Sequence, residues 1–333
     1  MKFAIVGAGA IGGYLGGRLA AAGDEVTLVA RGPNLEALRA HGIRLKLEDG
    51  THIQARDIRA VESVSEAGPQ DVVLLTLKAH QVGPIAADLA ALCHDDTTIV
   101  TMQNGIPWWY FHRHGGAYEG TAVKTADPDG RIARHVDPRR VIGSVVYPAA
   151  TLVAPGQVEV IEGNRFGIGE LDGTTTPRLQ ALAQALIKAG FKAPITKDIR
   201  AEIWMKLWGN ATLNPISALT HATLQDMCRF APTRALIATM MAEVEAVAAS
   251  LGVRFKISIE KRIAGAEAVG AHKTSMLQDV ELGRPLELEA LVGSVVELAQ
   301  LTGTPVPNVA AIYACTQLLA QSLAAAGGRL KIT

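Results

Sequence analysis

The sequence predicts an α/β protein in two parts, an N-terminal parallel-sheet domain followed by an all-α domain. Three observations carry this. Short apolar runs alternate with helical segments through the first half of the chain, a β–α–β rhythm that implies a mostly parallel sheet covered by helices. A glycine-rich turn joins the first strand to the first helix. From about Asp198 strand-like runs nearly vanish and helical periodicity takes over. At 333 residues the chain suits two domains, placed at 1–197 and 198–333.

In order, Lys2–Val6 reads as a strand, Ile11–Ala22 as a helix and Glu25–Ala30 as a second strand. Asn34–His41 reads as a short helix. Ile43–Leu47 and Thr51–Ala55 pair around the turn Asp49-Gly50. Asp71–Leu77 and Thr98–Met102 read as strands flanking a helix at Gln81–Leu92. Val141–Val146, Gln157–Ile161 and Arg165–Ile168 are further strands, and Pro177–Ala189 is a helix. The second part reads as helices at Arg200–Leu213, Thr233–Leu251, Ser258–Val269, Pro285–Leu301 and Val309–Ala326. Pro215 is expected to kink or end the first of these.

Hydrophobic residues make up 49% of the chain and charged residues 19%, ample apolar surface for buried cores and unlike a disordered chain. Lys+Arg and Asp+Glu both number 32, so there is no basic excess of the kind a general nucleic-acid binder carries. Cys93, Cys228 and Cys315 form no CxxC pair and have no histidine at metal-ligand spacing, which predicts reduced thiols, no metal site and a cytoplasmic setting. The apolar stretch Ala235–Val253 contains Glu243 and Glu245, too polar for a membrane span.

Gly7-Ala8-Gly9-Ala10-Ile11-Gly12 is a G-x-G-x-x-G that follows a strand and opens a helix. Gly7 permits the tight turn. Gly9 lets a pyrophosphate approach the backbone, and Gly12 allows the helix to pack closely on the strand. The anion would rest on the helix N-terminus at Ala10 and Ile11, where unpaired N–H groups and the helix dipole favour negative charge. This predicts a Rossmann-type dinucleotide site. At the end of the second strand, where an acidic residue would accept bonds from a ribose 2′-hydroxyl, stands Arg31. A guanidinium pairs with a 2′-phosphate instead, so NADPH is expected over NADH.

Lys206, Asn210 and Asn214 stand at i, i+4 and i+8, on one face of a helix among Trp, Leu and Ile. A lysine there could stabilise charge on a carbonyl oxygen and donate a proton, with amides orienting it or holding substrate. The spacing fits equally a solvated polar stripe.

Several segments in order, Gly7–Gly12, Leu77-Lys78-Ala79-His80-Gln81, Gln103-Asn104-Gly105, Arg200–Pro215, Thr274–Asp279 and Gly283–Gly293, resemble the ketopantoate (2-dehydropantoate) reductases over nearly the whole chain. The resemblance implies a Rossmann domain joined to an α-helical domain, with the active site between them, and NADPH-dependent reduction of a 2-oxo acid in pantothenate biosynthesis. It implies that Lys206 is the general acid toward the keto oxygen and Glu287 the active-site glutamate; periodicity alone does not choose Glu287 over Glu289. It further implies that Asn104 lies near nicotinamide and substrate, that Asn210 and Asn214 are substrate-site amides, that Ser275 contacts the substrate carboxylate, and that Arg31, Lys78 and Gln81 bind the 2′-phosphate. Asp279 could cap or orient the segment at Ser275. Related enzymes occur as monomers and dimers, and the apolar C-terminal helix could serve a homodimer interface.

Two segments depart from the family pattern. An aromatic run, Pro107-Trp108-Trp109-Tyr110-Phe111-His112, follows Asn104-Gly105. After Glu287 the family's Asp-Tyr pair and Asn are replaced by Glu289, Ala290 and Val292. All four tryptophans, Trp108, Trp109, Trp204 and Trp208, adjoin Asn104 or Lys206 in sequence, which suggests walls for a bulkier 2-oxo acid or, equally, plain packing. The alternatives to ketopantoate reduction are therefore a related reductase of a bulkier 2-oxo acid or imine, and a non-catalytic NADPH-binding sensor.

Overall fold

The computed structural model describes residues 1–328; the last five residues of the 198–333 segment lie outside the described residues. The strands are β1 (Lys2–Val6), β2 (Glu25–Val29), β3 (Ile43–Lys46), β4 (His52–Ala55), β5 (Arg59–Val61), β6 (Val72–Leu75), β7 (Thr98–Thr101), β8 (Val141–Val146), β9 (Ala149–Ala154), β10 (Gln157–Glu162) and β11 (Phe166–Glu170). The helices of the first part are α1 (Ala10–Ala21), α2 (Gly32–His41), α3 (Val64–Ala67), α4 (Ala79–Ile85), α5 (Arg131–His135) and α6 (Pro177–Lys188). Then follow α7 (Ile199–Thr220), α8 (Leu224–Arg229), α9 (Ala231–Ser250), α10 (Ile259–Ala268), α11 (Ser275–Glu281), α12 (Ser294–Thr302) and α13 (Pro307–Ala325).

Two compact units result. One comprises Met1–Gln103, Trp108–Ala122 and Asp127–Glu202; the other comprises Asn104–Pro107, Val123–Ala126 and the chain from Ile203 onward. The division falls inside α7, and two short segments from the first half of the sequence belong with the helical unit.

The first unit holds a seven-stranded sheet in the order β11-β8-β7-β6-β1-β2-β5. Its pairs are parallel except β11 with β8. The run Val72–Leu75 is buried throughout, as expected of a strand covered on both faces. The order reverses at β1, between β2 and β6, which creates the crevice where α/β sheets bind nucleotides. A second sheet, β4-β3-β10-β9, covers α1. The strand at Gln157–Glu162 goes to this smaller sheet, pairing parallel with β3 and antiparallel with β9. Arg59–Val61 and Ala149–Ala154 are also strands, although their weak alternation gives no strand signal in the sequence. The predicted helix Gln81–Leu92 is instead α4 followed by a 3-10 turn at Ala86–Leu92; Pro84 inside α4 removes a donor at that transition.

In the second unit α7 does not stop at Pro215. It runs on to Thr220 with the proline inside it. Leu213, Asn214, Ile216, Ser217 and Ala218 are all buried. Burial of that turn outweighs a proline penalty of about 3 kcal/mol. The predicted helix Pro285–Leu301 also differs: residues 284–287 are irregular, and a π-turn at Glu289–Gly293 leads into α12. Glu297 on α12 fixes the inserted segment, accepting bonds from the Lys124 and Thr125 N–H groups at 2.7 and 2.8 Å and from the Thr125 hydroxyl at 2.6 Å. Among the described residues no helix is long and apolar enough to cross a membrane.

Candidate active site

The first unit offers a glycine loop whose geometry suits an anion. Gly7 adopts φ +110° and Gly9 is the N-cap of α1. A Cβ on Gly12 would stand 2.0 Å from the Gly7 carbonyl and 2.7 Å from Thr76 Oγ1, so only glycine lets α1 seat here. A Cβ on Gly9 would meet no protein atom within 4 Å. The side of the loop at Gly9 is therefore open, beside N–H groups of the first helical turn, and that turn carries no acidic residue. These features fit the pyrophosphate of a dinucleotide. Ala10 and Ile11 form that first turn.

Residues not singled out from the sequence hold the loop in shape. Thr76 Oγ1 donates to the carbonyls of Gly7 (2.7 Å) and Val6 (3.2 Å). Asn34 Nδ2 donates to the Ala8 carbonyl at 2.8 Å while its Oδ1 accepts from Gly156 N–H at 2.8 Å. Gln103 Nε2 ties the carbonyls of Leu75 and Leu77. Asn34 lies in the first turn of α2, just after the N-terminal Pro33. Arg31 is exposed at the N-cap of α2. Lys78 precedes α4, and its N–H donates to Gln81 Oε1 at 3.0 Å, so one end of the Gln81 amide serves the helix start.

The second unit holds a side-chain array drawn from three distant segments. Lys206 Nζ donates to Asn104 Oδ1 at 2.6 Å, and Asn104 Nδ2 donates to Glu287 Oε2 at 3.3 Å. The amide thus links cation to carboxylate using both of its ends. Burial of the Lys206 ammonium pulls its pKa down to about 8, with the Glu287 charge partly opposing the shift. A cation of that acidity is charged at neutral pH yet yields its proton readily to a developing oxyanion.

The geometry also separates Glu287 from Glu289. Glu289 faces α13, where it accepts from the Tyr313 hydroxyl at 2.5 Å and from Gln317 Nε2 at 3.4 Å. Gly293 makes room for that pair: a Cβ there would stand 2.7 Å from Glu289 Oε2 and 2.9 Å from Tyr313 Oη. Asn104 is placed by its neighbour Gly105, at φ +87°, where a Cβ would lie 1.9 Å from the Ala290 carbonyl. That same carbonyl accepts Ile106 N–H at 3.2 Å and Ser294 Oγ at 2.7 Å. The Asn-Gly pair is a visible turn signal; its docking on the π-turn is not.

Asn210 is half-buried and Asn214 buried on α7, and neither side chain makes a hydrogen bond among the described residues. Ser275 is exposed at the first residue of α11. The cap of that helix is Thr274, whose hydroxyl accepts from Leu277 N–H, rather than Asp279. The tryptophan walls need correction. Trp109 is buried, donating to Thr101 Oγ1 at 2.9 Å and filling the space beside Gly143. Trp204 and Trp208 are fully buried; Trp208 donates to the Met241 carbonyl and stacks on Phe255 at 4.1 Å. Large indoles bury where they exclude most water, so only the half-buried Trp108 retains an open face. Ala290 and Val292, two of the departures, are likewise core residues.

Comparison with known proteins gives a consistent result. The ketopantoate reductase PanE/ApbA family matches residues 3–113, and its C-terminal counterpart matches residues 198–320. The chain is 52% identical over 321 residues to a 2-dehydropantoate 2-reductase of Mesorhizobium japonicum, covering 96% of this chain and 98% of that one. A crystal structure from Ralstonia solanacearum assigned as a ketopantoate reductase superposes with a TM-score of 0.91 at 40% identity, covering 97% of this chain and 98% of that one. The 2-dehydropantoate 2-reductase of Methylococcus capsulatus gives a TM-score of 0.81 at 27% identity, with the same coverage. The chain belongs to the ketopantoate reductase family and is a nicotinamide-dependent oxidoreductase.

Proposed function

We propose that this enzyme reduces 2-dehydropantoate, or a closely related 2-oxo acid, to the 2-hydroxy acid with NADPH as donor. The observation that carries the reading is the Lys206–Asn104–Glu287 array, which a protein that only bound a dinucleotide would not need. The names of the relatives supply the substrate class.

A bound nicotinamide dinucleotide supplies the hydride. The glycine loop holds its pyrophosphate, and Arg31, Lys78 and the free amide end of Gln81 suit the 2′-phosphate. Lys206 donates a proton to the keto oxygen as negative charge builds there. Asn104 orients the ammonium, and Glu287 keeps it charged and accepts from a substrate hydroxyl. Asn210 and Asn214 offer amides with no hydrogen-bond partner among the described residues, and Ser275 offers a hydroxyl. Burial of three of the four tryptophans removes most of the reason to prefer a bulkier substrate.

The test is NADPH oxidation against 2-dehydropantoate and a panel of bulkier 2-oxo acids and imines, with NADH as control. The expected result is turnover with 2-dehydropantoate that falls about 10³-fold or more in Lys206→Ala, at unchanged NADPH affinity. Tight NADPH binding without oxidation by any panel member would point to the sensor, and near-normal turnover in Lys206→Ala would overturn the mechanism.

A further inference from the structure

Gly209 is a buried glycine on α7, three residues after Lys206 and one before Asn210. A Cβ at this position would stand 2.2 Å from Arg262 Nη2 and 3.0 Å from Arg262 Cζ. The guanidinium of α10 therefore occupies the space that the side chain of any other residue would take. On a helix, a residue at i+3 lies about 60° around from i and about 4.5 Å along the axis. Arg262 is thus seated on the flank of the face that carries Lys206 and Asn210.

The charge balance of that face asks for such a group. Lys206 is matched by Glu287 through Asn104, so the array sums to zero. A 2-oxo acid brings a carboxylate on the carbon next to its keto group, so its negative charge must come close to Lys206. A carboxylate taken out of water without a counter-charge is costly, and neither the Ser275 hydroxyl nor the asparagine amides carry charge. A guanidinium fork matches a carboxylate in shape and sign.

We propose that Arg262 is a substrate-binding residue that pairs with the carboxylate of the 2-oxo acid, and that Gly209 is the notch that admits it. The proposal rests on the reading of the chain as a 2-oxo-acid reductase. It makes Arg262 a determinant of acid over neutral ketone, a role distinct from the proton transfer of Lys206. The competing role is mechanical: a guanidinium that merely pins α10 against α7.

The two roles separate when an acid is compared with its uncharged analogue. Steady-state kinetics would be measured with NADPH on 2-dehydropantoate and on the amide of the same skeleton, for the unmodified enzyme, Arg262→Met, Arg262→Lys and Gly209→Ala. Loss of a charged hydrogen-bond pair predicts about a 10–100-fold drop in kcat/KM for the acid in Arg262→Met, carried mainly by KM. The amide should change by less than about 3-fold. Arg262→Lys, which keeps the charge and loses the fork, should fall between, and Gly209→Ala should follow Arg262→Met in direction. Equal losses for acid and amide, or none in Arg262→Met and Arg262→Lys alike, would overturn the proposal. The unmodified enzyme decides the underlying reading on its own: if it reduces no 2-oxo acid, the assigned reaction falls, whatever the variants do.

Discussion

The glycine loop and the lysine array are two candidate functional regions built by opposite means. The loop is made of backbone. Its working groups are N–H donors, and the sequence contributes chiefly by leaving side chains out at Gly7, Gly9 and Gly12. The array is made of side chains from positions 104, 206 and 287, separated by 102 and 183 residues along the chain in its two hydrogen bonds. The difference decides what substitution can do. A loop of backbone is spoiled by adding atoms, whereas a side-chain array is spoiled by removing them.

The sharpest way to break that contrast lies within the loop, where two glycines have opposite surroundings. Gly12→Ala drives a Cβ against the Gly7 carbonyl and Thr76. It should cost roughly 2–4 kcal/mol of stability and abolish measurable NADPH binding. Gly9→Ala adds its methyl to open space on the cofactor side. It should change the melting midpoint little, by about 1 kcal/mol or less, yet weaken NADPH about 10–100-fold. Thermal melts with fluorescence titration of NADPH read both. A Gly9→Ala protein that binds NADPH normally would show that the pyrophosphate does not rest there.

The array is sharpened by pH. Burial lowers the Lys206 pKa to about 8 from an ordinary value of 10.5, and Glu287 opposes the shift. As a proton donor Lys206 must be charged, so kcat/KM should fall tenfold per unit above about pH 8. Glu287→Gln removes the opposing charge, so the descending limb should move to lower pH. Stability runs the other way. Between about pH 8 and 10.5 the unfolded chain holds the Lys206 proton and the folded chain does not, so this group makes folding more favourable as pH rises through that window. An activity profile that stays flat to pH 10 would remove Lys206 from the proton transfer.

The same contrast explains what was legible from the sequence. The parallel sheet could be read because buried strands such as Val72–Leu75 are continuous apolar runs, and the loop because its glycines are adjacent in sequence. Lys206 could be singled out by its helical spacing with Asn210 and Asn214, but Asn104 and Glu287 could be named only through resemblance, since nothing local brings together residues so far apart. Local rules failed where packing overruled them. Pro215 sits inside α7 because both flanking turns are buried, and the π-turn at Glu289–Gly293 forms where Gly105 and the Glu289–Tyr313 pair press on one segment. The tryptophans misled because nearness in sequence to a site residue is not nearness in space: on a helix, Trp208 stands roughly opposite Lys206, and it packs on Phe255. Gly209 carries no signal in the sequence either, since a missing Cβ has meaning only when the atom that fills its place is known.

The smallest expected effect concerns Arg31, and it bears on whether the loop's neighbourhood follows the rule for backbone or for side chains. Arg31 is exposed at the N-cap of α2 and makes no side-chain cap bond, so its guanidinium does not hold the start of that helix. Its removal should leave stability within about 0.5 kcal/mol. An exposed ion pair with a 2′-phosphate is worth on the order of 1 kcal/mol, because solvent screens it. Arg31→Ala should therefore raise the KM for NADPH about 5–10-fold, leave that for NADH unchanged, and show the loss shrinking as salt is added. If preference for NADPH persists in Arg31→Ala, discrimination lies with Lys78 and Gln81 at the start of α4, where the Gln81 amide is already half committed to the helix. Cofactor choice would then be set by side chains anchored at a helix start, so this part of the site would follow the rule for side chains and be spoiled by removing atoms, and only the glycines would follow the rule for backbone.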